Sequence, residues 1–75
     1  FNANYYAFSK MIVCTGDFTV NTKLDVINSN GVLVKTQSVT TPQNEVIITV
    51  PNISKGCYLV LIRNSKTSEV KKIIA

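Results

Sequence analysis

With 75 residues, 45 % of them hydrophobic and 16 % charged, the chain has the size of one domain and is too apolar and too sparsely charged for a disordered tail. Eight Lys and Arg against four Asp and Glu leave a net charge of +4, a basic balance that favours anionic partners in general without naming one. Histidine is absent and no window approaches the 18 apolar residues of a membrane span, so a His-based triad and a transmembrane helix are both excluded from the outset.

A chain of this length buries only roughly 60 % of the surface that its unfolded form exposes, so a thin core is expected. Phe1 stands where an initiator Met would, with no signal peptide behind it, which leads to the expectation of a domain cut from a longer protein. In Phe1 to Ser9, Tyr5, Tyr6 and Phe8 suit an edge strand while Asn2 and Asn4 suit a loop. Lys10 to Cys14 reads as a short strand closed by a turn at Thr15-Gly16-Asp17. Phe18 to Ile27 follows, strand-like above all from Thr22, with Leu24 and Val26 on one face and Lys23, Asp25 and Ile27 on the other.

Asn28-Ser29-Asn30-Gly31 separates this strand from Val32 to Val39. An Asn-Gly pair between two strand patterns predicts a type I′ hairpin, whose two central residues need positive φ. Thr40 to Asn44 is a polar loop in which Pro42 removes a backbone donor. Glu45 to Val50 alternates, with Val46, Ile48 and Val50 inward and Ile47 and Thr49 outward. Pro51 to Gly56 is long enough to cross from one sheet to another, with Ile53 closing the end of the core.

Cys57 to Arg63 is the richest strand pattern. Tyr58, Val60 and Ile62 share one face and Cys57, Leu59, Leu61 and Arg63 the other, so both faces carry apolar side chains, as a central strand does and an edge strand does not. A strand in a two-layer fold buries one face, which leaves Cys57, Leu59 and Leu61, with Ile47, as a candidate docking face. Asn64 to Thr67 turns the chain, and Ser68 to Ile74 returns as an antiparallel partner with Val70, Ile73 and Ile74 as apolar contacts and a bulge at Lys71-Lys72. With no helical period, six to seven short strands predict an all-β fold, a small Ig-like Greek-key antiparallel β-sandwich spanning residues 1–75, with a small barrel as the alternative.

Little here supports chemistry. The four carboxylates fall in separate elements, so no acid pair is recognisable, and an enzyme is not expected. Two Cys 43 positions apart, without His, do not make a zinc site, and no cofactor is implied. A disulfide between Cys14 and Cys57 would close a long loop, worth about 4 kcal/mol. Strand parity points Cys57 away from the core if Tyr58 points into it, so a bridge and two free thiols both stay open. The lysines are scattered over several loops without an aromatic stacking platform, which argues against nucleic acid.

Four stretches in order, Leu24 to Val34 with its Asn30-Gly31, Val46 to Val50, Asn52 to Val60 with its Lys55-Gly56-Cys57-Tyr58, and the terminal Lys71-Lys72-Ile73-Ile74-Ala75, resemble one family. It is the type A C-terminal sorting domain of the Bacteroidetes type IX secretion system. The resemblance covers about residues 22 to 75. At the start, Phe1-Asn2-Ala3-Asn4 lacks the two prolines that the family carries there, Cys57 replaces a branched aliphatic residue, and Ala75 a basic or aliphatic one.

The resemblance implies an Ig-like sandwich at the C-terminus of a longer secreted protein. It would be recognised by the outer-membrane secretion machinery, taken through the periplasm to the cell surface or beyond, and cleaved upstream by a sortase-like peptidase. It further implies that Lys71, Lys72, Ile73 and Ile74 form the terminal strand that the signal needs, that Asn30 and Gly31 shape the hairpin, and that Lys55, Gly56 and Tyr58 shape the start of the central strand. A second reading, supported by the sandwich alone, is an accessory Ig-like or fibronectin-like module that binds carbohydrate or protein. It predicts further domains beyond Ala75.

Overall fold

A computed structural model describes residues 1–75 as seven β-strands: β1 (Asn2–Tyr6), β2 (Met11–Phe18), β3 (Lys23–Asn28), β4 (Leu33–Ser38), β5 (Gln43–Thr49), β6 (Cys57–Arg63) and β7 (Ser68–Ile74). They form two sheets, one of three strands in the order β1-β2-β5 and one of four in the order β4-β3-β6-β7, and every pairing is antiparallel. The all-β expectation holds, and two separate sheets replace the barrel alternative. The chain changes sheet after β2, after β4 and after β5, the last time through Pro51 to Gly56 as expected.

One core draws on both sheets. Ile12, Cys14, Phe18, Val46 and Ile48 come from the three-stranded sheet, and Leu24, Val26, Tyr58, Val60, Ile62 and Ile73 from the four-stranded one. Each aliphatic side chain taken fully out of water contributes about 1.5–3 kcal/mol, so this cluster is what holds the two layers together. Val39 and Val50, just past the ends of their strands, join it, and Ile53 packs against it from the crossover. The inward sets read from alternation, Leu24 with Val26, Val46 with Ile48 and Val50, and Tyr58 with Val60 and Ile62, are all buried.

Several local expectations are corrected. Asn2–Tyr6 is a strand, paired with β2, so the asparagines do not make a loop. Thr15-Gly16-Asp17 is not a turn. β2 continues through it to Phe18 with a shifted register against β5, so the residues that favour a turn are accommodated as an irregularity in a long strand. Phe18 therefore ends β2, and the turn comes later, at Thr19 to Thr22, where the Thr22 N–H donates to the Thr19 carbonyl.

The β3–β4 hairpin is present, but its turn is not type I′. Asn30 and Ser29 keep negative φ and only Gly31 is positive, at 79°. The Gly31 N–H donates to the Asn28 carbonyl and the Asn28 N–H to the Val32 carbonyl. That is a three-residue loop, a type I turn followed by glycine in the left-handed region, and a separate register shift follows between Val26 and Ile27, where Val34 is the extra residue on β4. The Asn28 side chain selects the loop, its Oδ1 accepting from the N–H groups of Asn30 and Val32. The bulge expected at Lys71-Lys72 is absent, since β7 pairs residue by residue with β6 from Arg63↔Ser68 to Cys57↔Ile74. Of the apolar contacts expected on β7, only Ile73 enters the core, while Val70 and Ile74 are exposed.

Candidate functional site

The four-stranded sheet has an inner face in the core and an outer face in solvent, and β6 contributes apolar residues to both. Gly56, which precedes it, has φ 148°, a conformation that a β-branched side chain resists. Its N–H and carbonyl exchange hydrogen bonds with Ala75, which aligns the first residue of β6 with the end of β7. The Tyr58 hydroxyl donates to the Ser54 carbonyl at 2.7 Å, tying the crossover to the strand it feeds. With register and parity held in this way, Cys57, Leu59 and Leu61 point away from the core.

Strand pairing then decides what lies beside them. Leu59 stands opposite Ile27 on β3 and Lys72 on β7, Leu61 opposite Asp25 and Val70, and Cys57 opposite Ile74. Ile47 is not among these residues. It lies on β5 in the other sheet, opposite Val13, so the four positions proposed as one docking face divide between the two outer surfaces.

Of the terminal residues, Ile73 is buried in the core and Lys71 pairs with Glu69 at 3.3 Å, while Lys72 and Ile74 are exposed on the outer face. Asn30 and Gly31 sit at the tip of the β3–β4 hairpin, and Lys55 is exposed beside Gly56.

A cluster that sequence alone does not reveal underlies this face. Asp25 is buried although it points to the outer side. Its Oδ1 accepts from the Thr36 hydroxyl at 2.7 Å and its Oδ2 from the Arg63 guanidinium at 2.9 Å. The three residues come from β3, β4 and β6, so a carboxylate that would be costly to bury alone instead cross-links three strands. Only the register that sets Asp25 between Thr36 and Leu61 could have indicated it.

At the N-terminus, the Phe1 ring packs on Phe18 with centroids 4.9 Å apart and fills the space over Gly16, where a methyl group would collide with it.

Cys14 and Cys57 are both free. Cys14 is fully buried and Cys57 exposed, so of the two alternatives the free thiols are found and the parity argument against a bridge through the core holds. Burial pushes the Cys14 thiol up to about 11. Two shallow grooves exist, one walled by Val34, Lys35, Pro51 and Asn52 and one by Asp17, Thr19, Lys66 and Thr67, and neither sets a nucleophile against a base. No three His, Cys, Asp or Glu side chains gather where they could hold a metal ion, and no helix is long and apolar enough to cross a membrane.

A family model described as "Secretion system C-terminal sorting domain" matches residues 9–75, nearly the whole chain and a longer span than the sequence motifs indicate. A search of the curated proteins finds no match.

Proposed function

The chain belongs to the secretion system C-terminal sorting domains, the non-catalytic signal domains of type IX secretion, and from that premise we propose that it is the C-terminal part of a longer secreted protein and is read there by the outer-membrane translocation machinery. The observation that carries this reading is the family match over residues 9–75. It favours a sorting signal over an accessory carbohydrate- or protein-binding module, for which the fold alone would speak. The route runs through the periplasm to the cell surface, with upstream cleavage by a sortase-like peptidase.

We read the two layers as an Ig-like Greek-key sandwich. Support comes from the single core shared by the two sheets, the three sheet-to-sheet crossings, and the hydrogen bond from Tyr58 back to Ser54, which resembles the tyrosine corner of Ig-like domains. Within the terminal strand the four signal residues divide their work. Ile73 serves the core and Lys71 the ion pair with Glu69, whereas the exposure of Lys72 and Ile74 supports them as the pair that a receptor touches.

Deletion of Val70 to Ala75 from the full-length protein tests the proposal. Retention of the protein in the periplasm is expected, and undiminished surface delivery would overturn the sorting reading.

A further inference from the structure

The outer face of the four-stranded sheet carries more aliphatic surface than the fold uses. Successive cross-strand rows read Ile27–Leu59–Lys72, Asp25–Leu61–Val70 and Lys23–Arg63–Ser68, with Cys57 and Ile74 at the opposite end. Leu59, Val70 and Ile74 are 42 %, 55 % and 61 % exposed.

Charge on this face is one-sided. Its single acid, Asp25, is buried and already bonded to Arg63 and Thr36. Lys23 and Lys72 are exposed and ion-paired to nothing. The remaining acids lie elsewhere: Asp17 in the irregular part of β2, Glu45 on the three-stranded sheet, and Glu69 beside Lys71. Aliphatic groups in water are best covered by other apolar groups, and unpaired ammonium groups attract carboxylates, so the complement of this face combines the two.

We propose that this face docks a protein surface that is apolar at its centre and carries Asp or Glu at its margins, with Leu59, Leu61 and Val70 in the middle and Lys23 and Lys72 at the rim. The inference rests on the sorting reading and gives its partner a chemistry. A lipid surface fits less well, because the face is a paired sheet with no Trp, Tyr or Phe to seat at a membrane interface.

The test uses the full-length protein in cells with an active type IX system. Lys23→Glu combined with Lys72→Glu is expected to lower surface delivery at least tenfold with the urea midpoint unchanged. Lys23→Arg with Lys72→Arg is expected to deliver normally, as is Lys35→Glu with Lys66→Glu, which alters net charge equally but off this face. Should the double reversal unfold, Lys23→Gln with Lys72→Gln takes its place under the same criterion. Normal delivery of the reversed protein, while deletion of Val70 to Ala75 still blocks delivery, overturns the docking face and leaves the sorting reading standing. Normal delivery of the deletion variant sinks both. An equal loss in the Lys35 and Lys66 variant overturns the proposal in favour of bulk charge. Lysine-dependent binding of the purified chain to phosphatidylglycerol vesicles overturns it in favour of a membrane.

Discussion

The inner and outer faces of the four-stranded sheet are built from the same strands and much the same aliphatic residues, yet they do different work. Leu24, Val26, Val60 and Ile62 are buried in the core, whereas Leu59, next to Val60 on β6, and Val70 and Ile74 on the neighbouring β7 face water. Burial, more than residue type, separates structural from available apolar groups. The inner set is needed by any protein with this fold. The outer set is free to serve recognition.

The sharpest way to break the comparison is to make one chemical change on each face. Leu24→Ala is expected to cost about 2–5 kcal/mol, through lost burial and a cavity, and Leu59→Ala less than about 1 kcal/mol, both read from urea unfolding. Equal losses would mean that the outer face is covered in the folded chain and is no docking surface.

The buried cysteine carries the contrast into titration. The Cys14 thiol is raised from 9.0 to about 11 by burial. Between those values the unfolded chain has released this proton and the folded chain has not, so the unfolded state binds fewer protons and stability falls as pH rises. The loss attributable to Cys14 is roughly 2–3 kcal/mol between pH 9 and 11 and is absent below pH 9, where both states hold the proton. Urea midpoints across that range should flatten in Cys14→Ala and stay sloped in Cys57→Ser. A wild-type slope in Cys14→Ala would show that other groups cause it.

Gly56 sits where the two faces are allotted. A β-carbon at Gly56 would have open space around it, so the cost expected of Gly56→Val is the backbone strain at φ 148°, about 1–3 kcal/mol. An unchanged thermal midpoint would disprove that strain. The smallest effect belongs to the rim, where Lys72→Gln should move the midpoint by no more than the equivalent of about 0.5 kcal/mol, as an exposed residue with no ion-pair partner would. A larger shift would place Lys72 in the structure of the domain and not on its surface.

Alternation was enough to read Val46, Ile48, Tyr58, Val60 and Ile62 as core, because a period of two leaves each strand only two faces and the apolar side chains choose between them. It failed where the backbone departs from that period. Gly16 and Asp17 carry turn chemistry, yet β2 runs on through them and pairs with β5 again at Phe18↔Gln43. Asn30-Gly31 carries the strongest hairpin signal, and the Asn28 side chain redirects it into a longer loop.

By itself, then, the sequence determined the all-β class, the inward sets read from alternation and a family resemblance that the match over residues 9–75 bears out. These follow from local pattern, which the chain carries wherever it goes. Tertiary structure alone decided which strands are neighbours beyond the β3–β4 and β6–β7 hairpins, and the register of every pair. That parted Ile47 from Leu59, brought Asp25 to Arg63 across 38 positions, and set Lys72 beside Leu59. Side chains distant in sequence meet only through strand pairing, and pairing is chosen by how the whole set of apolar faces can be buried at once.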